Sequence, residues 1–279
     1  MEIVTKIAPI SLALIMLGLG LGLTGRDFLR VLNNPKDFII GFACQLILLP
    51  VIAYILILIL NLPTVIAVGV MIIAAAPGGV TSNVMTKFAD GDVALSISLT
   101  AIISLISIIS VPFIIFKSAD LLGVSDISSN LTMTGIALKM ALVVTVPVIL
   151  GMIIRKFAGN FISSNISIIE KITIVLFLIV FAAILVEEKD NIFNYFKQAG
   201  IAVLILNTVM MTLGYFIAKL FASGIKQRKC ISIECGLQNG TLAIFVATQI
   251  FNDISYVIPT AAYACLLYTS PSPRDQLQS

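Results

Sequence analysis

Histidine does not occur anywhere in this chain of 279 residues. Its absence removes every histidine-based metal site, histidine-containing catalytic triad and histidine proton relay at once. Charge is scarce too. Only 11% of the residues are Asp, Glu, Lys or Arg, against about 25% in soluble domains. No charged residue lies between Asp37 and Lys87, nor between Asp92 and Lys117. A helix crossing a bilayer needs roughly 20 apolar residues. Several such runs, in a chain that is 59% hydrophobic, specify an all-α polytopic membrane protein. Cys44, Cys230, Cys235 and Cys265 lack metal-binding spacing, and at least two fall in apolar spans, so they read as packing residues. The net charge is only +3, with basic residues scattered over short loops; no nucleic-acid surface is expected. The first apolar run, Ile7 to Gly25, is long enough to span and has no small-x-small cleavage site.

Charges and Pro/Gly breaks divide the chain into nine apolar segments: Ile3–Leu23, Phe38–Leu60, Thr64–Ala89, Val93–Phe116, Thr132–Ile154, Ile168–Val186, Ala199–Phe221, Cys230–Ile250 and a last one from Tyr256. With alternate crossings, one side receives eleven Lys and Arg residues, among them Arg26, Arg30, Arg155, Lys156, Lys226 and Lys229. The other side receives five: Lys6, Lys117, Lys139, Lys189 and Lys197. The positive-inside bias places the richer side in the cytoplasm. The N-terminus is then outside and the last helix ends inside, in what is expected to be a bacterial inner membrane.

The third and eighth segments are interrupted. The third carries "AAAPGGVTSNVMTKFADGD" and the eighth "ISIECGLQNGTLAIF". Pro77 lacks an N–H and crowds the preceding turn, while Gly78, Gly79, Gly236 and Gly240 weaken a helix. Irregular backbone at membrane depth survives only where protein or a wet cavity satisfies it. Interrupted segments in matching places of two halves point to a transporter site. The halves are expected to be helices one to four and five to nine, an inverted repeat with one helix missing from the first half.

Glu234 is the only carboxylate inside either interruption, and at mid-bilayer a carboxylate costs about 2.5–3.5 kcal/mol on insertion scales. Its candidate partners are Gln238 at i+4, Ser82 and Asn83 in the other break, the i, i+4 pair Ser96 and Thr100, and Gln45 in the second helix. One carboxylate among neutral oxygens suits a hard monovalent cation such as Na⁺ better than Ca²⁺ or Mg²⁺. Blander readings are available for each residue alone. Ser96 and Thr100 could bond back to their own helix, Gln45 could join two helices, and Glu234 could be a protonated structural acid. Asp90 and Asp92 suit a cytoplasmic helix start.

The stretches "PGGVTSNVMTKFADGDVALSISLT", Pro77 to Thr100, and "ECGLQNG", Glu234 to Gly240, resemble the bile acid:sodium symporter family. So does "GLGLGLTGRDFLRVLNNPKDFIIGFACQLILLP", Gly18 to Pro50, which extends the likeness over nearly the whole chain. The resemblance implies a core domain and a flatter panel domain, with two discontinuous helices crossing at mid-membrane. It implies two Na⁺ ions as coupling ions. The first maps onto Ser82, Asn83, Ser96, Thr100 and Glu234, and the second onto Gln45, Glu234, Gln238 and the carbonyls of Cys235 and Leu237. Asn239 matches the amide facing the substrate cavity, with Val80 and Thr81 beside it; some members have a hydroxyl at the position of Val80. The implied function is sodium-coupled uptake of an organic anion by alternating access.

Two features depart from the family pattern. The chain begins at what resembles the second helix of longer members, leaving nine. After Tyr256 the ninth helix gives way to "LLYTSPSPRDQLQS", which reads as foreign sequence joined near Cys265. Residues 1–265 are therefore expected to form one transmembrane domain, with 266–279 a non-native tail. Competing functions are a proton-coupled carrier in which Glu234 titrates, a non-transporting scaffold, and an intramembrane protease. The last is not an attractive reading: zinc chemistry lacks its histidines, and Asp90 and Asp92 flank a loop. The residues are compatible with steroid-like, pantoate-like, other carboxylate or sulfonate substrates. They assign no enzyme activity and no oligomeric state.

Overall fold

The computed structural model describes residues 2–33, 35–124, 132–187, 192–251 and 253–269. Every regular element among them is helical. The first span is α1, Glu2–Gly22, and it leads into α2, Gly25–Asn33, where the sequence reading leaves only a loop. Asp27, three residues into the turn, takes the N–H of Thr24 at 2.7 Å and its hydroxyl at 2.8 Å. By accepting both, the Asp27 carboxylate caps the start of the short helix.

The second span combines α3, Pro35–Ala43, a π-helical turn at Cys44–Leu48, and α4, Leu49–Leu60. The π turn has a visible cause. Pro50 has no N–H for the carbonyl one turn back, and its ring crowds that carbonyl; the chain widens there by one residue. The same device recurs before Pro147, where a π turn at Ala141–Thr145 links α8, Met133–Met140, to α9, Val146–Glu187. Such turns interrupt the regular ladder and often sit at functional sites. The first contains Gln45.

Two pairs of short helices are broken spans. α5, Thr64–Ala75, stops at Ala76, whose φ of −67° and ψ of 145° are extended, and α6, Val80–Phe88, begins after Gly79. Extended geometry is what a residue before proline prefers. In the second pair α11, Ile225–Gly236, ends at extended Leu237, and α12, Gly240–Ile250, begins after Asn239. No proline stops α11; the Asn239 side chain instead caps α12 by accepting the Leu242 N–H at 3.0 Å. The remaining elements are α7, Val93–Leu121, α10, Ile192–Phe221, a 3₁₀ turn at Ile254–Val257, and α13, Ile258–Thr269. α13 carries the helical backbone past the expected junction near Cys265. The rest of the expected tail, 270–279, lies outside the described residues.

α9 is interrupted at Ala158, with φ −119° and ψ 31°. Its two arms turn back on each other there. A Cβ on Gly20 of α1 would collide with the backbone of Val148, while one on Gly18 would meet Thr173. Val148 and Thr173 would be about 37 Å apart on a straight helix, yet they flank positions two residues apart on α1. The arms are thus separate passes, the fifth and sixth apolar segments, joined by a helical bend where a loop is expected. α1 packs against both, with Gly20 and Gly151 bringing the backbones together, the small-residue contact common between membrane helices.

Five helical stretches are long and apolar enough to cross a membrane: 4–22, 35–60, 93–121, 133–184 and 199–221. The 10–17-residue helices α5 and α12 are apolar as well. The molecule turns large apolar side chains outward, Ile59, Ile109 and Leu220 each more than 70% exposed. Water would penalise such a surface; a lipid environment accepts it. Inside, the buried polar side chains gather where the two broken spans meet.

Candidate functional site

The breaks cross as an antiparallel bridge between Gly78 and Gln238, and the Asn239 N–H donates to the Pro77 carbonyl at 2.7 Å. Each irregular strand thereby satisfies backbone of the other at membrane depth, as it must where no water is available. Gly78 is required at this crossing. A Cβ there would stand 2.5 Å from Glu234 Oε2, 3.0 Å from Gln45 Nε2 and 3.3 Å from Ser82 Oγ.

Glu234 is fully buried. Its Oε1 accepts from Ser82 Oγ at 2.6 Å and Ser96 Oγ at 2.5 Å, and its Oε2 accepts from Thr100 Oγ1 at 3.1 Å. Ser96 also lies 2.7 Å from Asn83 Oδ1, and Ser82 lies 2.7 Å from the Gly79 carbonyl. A hydroxyl carries one proton. Ser82 and Ser96 each face two acceptors, so oxygen atoms outnumber the protons between them. Turning the Asn83 amide would relieve Ser96 but leaves Ser82 between a carbonyl and a carboxylate. The surplus of lone pairs suits a cation, or a proton on Glu234.

A second polar group lies beside the first. Gln45 Nε2 donates to the Glu234 carbonyl at 3.2 Å and to Gln238 Oε1 at 3.2 Å. Gln238 Nε2 reaches the carbonyls of Glu234 at 3.1 Å and Cys235 at 3.0 Å. With its nitrogen so committed, Gln45 turns its oxygen the other way, buried and without a hydrogen-bond partner. A buried orphan acceptor is costly, about 1–3 kcal/mol, unless something electropositive meets it. Leu237 follows in extended backbone, φ −115° and ψ 95°, beside the bridge.

All nine residues mapped to cation sites therefore gather at the crossing. Ser96 and Thr100 do not bond back to their own helix; Ser98, on the same helix, does so to Ala94 at 2.8 Å. Two further residues carry the site without any motif to announce them. Tyr263 on α13 donates its hydroxyl to the Gly236 carbonyl and accepts the Gln238 N–H at 2.8 Å. Asn207 on α10 donates to the same Gly236 carbonyl at 2.6 Å. Both hold the backbone of the second break.

Next to the crossing is a small cavity of about 110 Å³, narrower than the usual small-molecule site. Val80, Thr81 and Asn239 line it from one side, and Ile15, Thr173 and Phe177 from the other. No Lys or Arg lines it. Instead the N-termini of α6 and α12 open toward it, and the first N–H groups of a helix have no partner within it. Gly79 caps α6 without a side chain. Such N–H groups favour negative charge.

At the ends of α6, α7 and α11 the acids are structural. Asp92 caps α7 by accepting the Leu95 N–H at 3.0 Å and also takes the Gln227 amide at 2.9 Å. Asp90 does not serve the helix start expected of it: it sits in a left-handed turn at φ 53° and pairs with Lys226 at 3.0 Å. That ammonium holds the exposed Asp90 carboxyl below the ordinary carboxylate range. The two aspartates form no catalytic dyad, and no cluster of three or more Cys, Asp or Glu side chains occurs among the described residues.

Helices with lipid-facing exteriors, a buried polar crossing and an adjoining cavity define a membrane transporter. Residues 9–195 match the Sodium Bile acid symporter family, and the chain belongs to that family. It is 30% identical over 262 residues to the "Uncharacterized sodium-dependent transporter YocS" of Bacillus subtilis (strain 168), covering 94% of this chain and 79% of the relative. It is 29% identical over 257 residues to the "Probable sodium/metabolite cotransporter BASS2, chloroplastic" of Oryza sativa subsp. japonica, covering 92% of this chain and 60% of the relative. Against the "Ileal sodium/bile acid cotransporter" of Oryctolagus cuniculus the identity is 26% over 266 residues, 91% of this chain and 73% of the relative. The family and these relatives are transporters and not enzymes.

Proposed function

We propose that this protein is a sodium-coupled symporter that takes up a small organic anion by alternating access. One observation carries the reading: a fully buried carboxylate, Glu234, sits among more oxygens than protons beside a cavity without a cationic side chain. One Na⁺ is assigned to Ser82, Asn83, Ser96, Thr100 and Glu234. A second is assigned to Gln45, Glu234, Gln238 and the carbonyls of Cys235 and Leu237. The first assignment is supported by the crowded hydroxyls, and the second by the orphan oxygen of Gln45. Both ions are cargo. Bound, they supply the positive charge that the cavity lining lacks, so the anion and the ions favour the same state.

The anion is assigned to the cavity lined by Val80, Thr81 and Asn239, between α1 and α9 on one side and the crossing on the other. Packing of α1 with both arms of α9 supports a panel that moves against a core built of the remaining spans. The paired breaks support an inverted repeat. The charge bias supports an outside N-terminus and a cytoplasmic end; a bacterial inner membrane is the setting proposed for it.

A proton-coupled carrier is the second reading, because a proton on Glu234 also relieves the crowding at Ser82. The two separate in proteoliposomes loaded with buffer, using a labelled bile acid and labelled pantoate as probes. With the potential clamped, Na⁺ and pH gradients are varied independently. Uptake should require Na⁺, with a Hill coefficient near two. Uptake driven by a pH gradient in sodium-free buffer would overturn symport with sodium and promote the proton.

A further inference from the structure

We propose that the groove between the α1–α2 turn and the bend of α9 is a binding site for the phosphate headgroup of an anionic phospholipid. It lies at the ends of the first, fifth and sixth spans, away from the polar crossing, and offers about 950 Å³. Three cations line it: Arg26, Arg155 and Lys156. None forms an ion pair with a carboxylate among the described residues. The nearest acid in sequence, Asp27, is already occupied by the N–H and hydroxyl of Thr24.

The cations are held for a ligand in the interfacial layer. Arg155 Nη1 donates to the Leu21 carbonyl at 2.7 Å, in the last turn of α1. This fixes the guanidinium at the mouth of the groove, while its remaining donors are uncommitted. Asn160 and Ser163 add neutral donors along the rim. Gly25 and Gly159 also line it, and a Cβ on either would meet nothing within 4 Å, so the groove is unfilled there. Toward the membrane the groove continues onto Ile149 and Ile153, which are 48% and 46% exposed. A diacyl lipid presents this order of chemistry, acyl chains beside the apolar residues and phosphate beside the cations. Basic pockets between spans at the membrane boundary bind anionic headgroups, with about 1 kcal/mol per Lys or Arg.

Binding to one bend links the lipid to α9, whose second arm supplies Thr173 and Phe177 to the cavity. The site does not depend on which ion drives transport, and its test reads binding directly. Full-length protein, delipidated in detergent, is titrated with short-chain phosphatidylglycerol, short-chain phosphatidylcholine or inorganic phosphate. Bound lipid is counted by native mass spectrometry, and melting temperature is followed in parallel. Phosphatidylglycerol should bind saturably and raise the melting temperature, while phosphatidylcholine should not. Arg26→Gln with Lys156→Gln, both exposed and without described partners, should weaken phosphatidylglycerol binding about thirtyfold. Lys156→Arg alone, which keeps both cations, should bind phosphatidylglycerol about as well as wild type. Equal binding of the two lipids, or unchanged affinity in the double variant, would overturn the proposal. Inorganic phosphate that displaces the lipid at equal concentration would overturn the lipid as ligand and leave a soluble-anion site.

Discussion

Gly78→Ala isolates the crossing with the smallest possible change. Its φ lies outside the left-handed region, so alanine is compatible with the backbone and the effect is steric alone. The new methyl would sit 2.5 Å from Glu234 Oε2. To restore van der Waals contact, the carboxylate or the bridge must retreat by about 1 Å, against Gln45 and Ser82 on either flank. Overpacking of this kind costs roughly 1–3 kcal/mol. If the displacement falls on the ion-bound form, Na⁺ affinity drops about 5- to 150-fold. The adjacent Gly79→Ala is the control, since its Cβ would find its nearest atom, Thr81 Oγ1, at an ordinary 3.5 Å. Melting temperature measured against NaCl, with choline chloride holding ionic strength constant, reports affinity because stabilisation grows as RT ln(1 + [Na⁺]/Kd). The Gly78 variant should need much more Na⁺ than wild type, and the Gly79 variant about the same. Equal sodium midpoints for Gly78→Ala and wild type, or equal losses in the two variants, would refute the steric argument.

Glu234→Gln should insert normally yet lose Na⁺-stimulated uptake, measured in vesicles alongside membrane yield; sodium dependence like wild type would remove the carboxylate from both sites. Ser96→Ala and Thr100→Ala should each raise the Na⁺ concentration for half-maximal uptake, since each deletes one oxygen facing Glu234. Unchanged curves for both would make them packing residues. Tyr263→Phe strands the Gln238 N–H in a dry interior, at about 1–3 kcal/mol; denaturant melts should show the loss, together with weaker Na⁺ binding. With two Na⁺ per monovalent anion, uptake carries one net positive charge, worth about 2.3 kcal/mol per 100 mV. An inside-negative potential set with K⁺ and valinomycin should accelerate it, and insensitivity to potential would argue for another stoichiometry.

The crossing is legible in the sequence because its causes are local. Pro77 and the glycines around it cannot continue a helix, and a lone carboxylate in an apolar span demands partners of a few residue types. Ser82, Asn83, Ser96 and Thr100 are few enough to be found by that demand. Tyr263 and Asn207 are not, because a tyrosine or asparagine in a span has many ordinary uses and their shared target, the Gly236 carbonyl, is backbone. The π turn at Gln45 has a signal in hindsight, a proline two residues beyond its end, matched at Pro147. α2 could have been read from Thr24 and Asp27 at capping spacing. The turn within α9 is expected from the charged, glycine-bearing stretch between Ile154 and Ile168; that the connection stays helical and bends at Ala158, beside Gly159, is not.

Gln238 and Asn239 are consecutive residues at the seam between carboxylate chamber and open cavity: both line the cavity, while the Gln238 side chain also bonds to Gln45 and to the Glu234 and Cys235 carbonyls. The backbone here is a party wall, its Asn239 N–H pinned by the Pro77 carbonyl and its Gln238 N–H by the Tyr263 hydroxyl. On the proposed assignment, a change that reshapes the cavity through this wall is expected to disturb the ion chamber behind it as well, so broader substrate tolerance there should come with ion leak. The opposite wall, built by Ile15, Thr173 and Phe177 from α1 and α9, has no such tenant at its back. If the proposed sites hold, substrate preference is expected to diverge on that face while the ion sites stay fixed, which makes it the face to redesign for a new cargo.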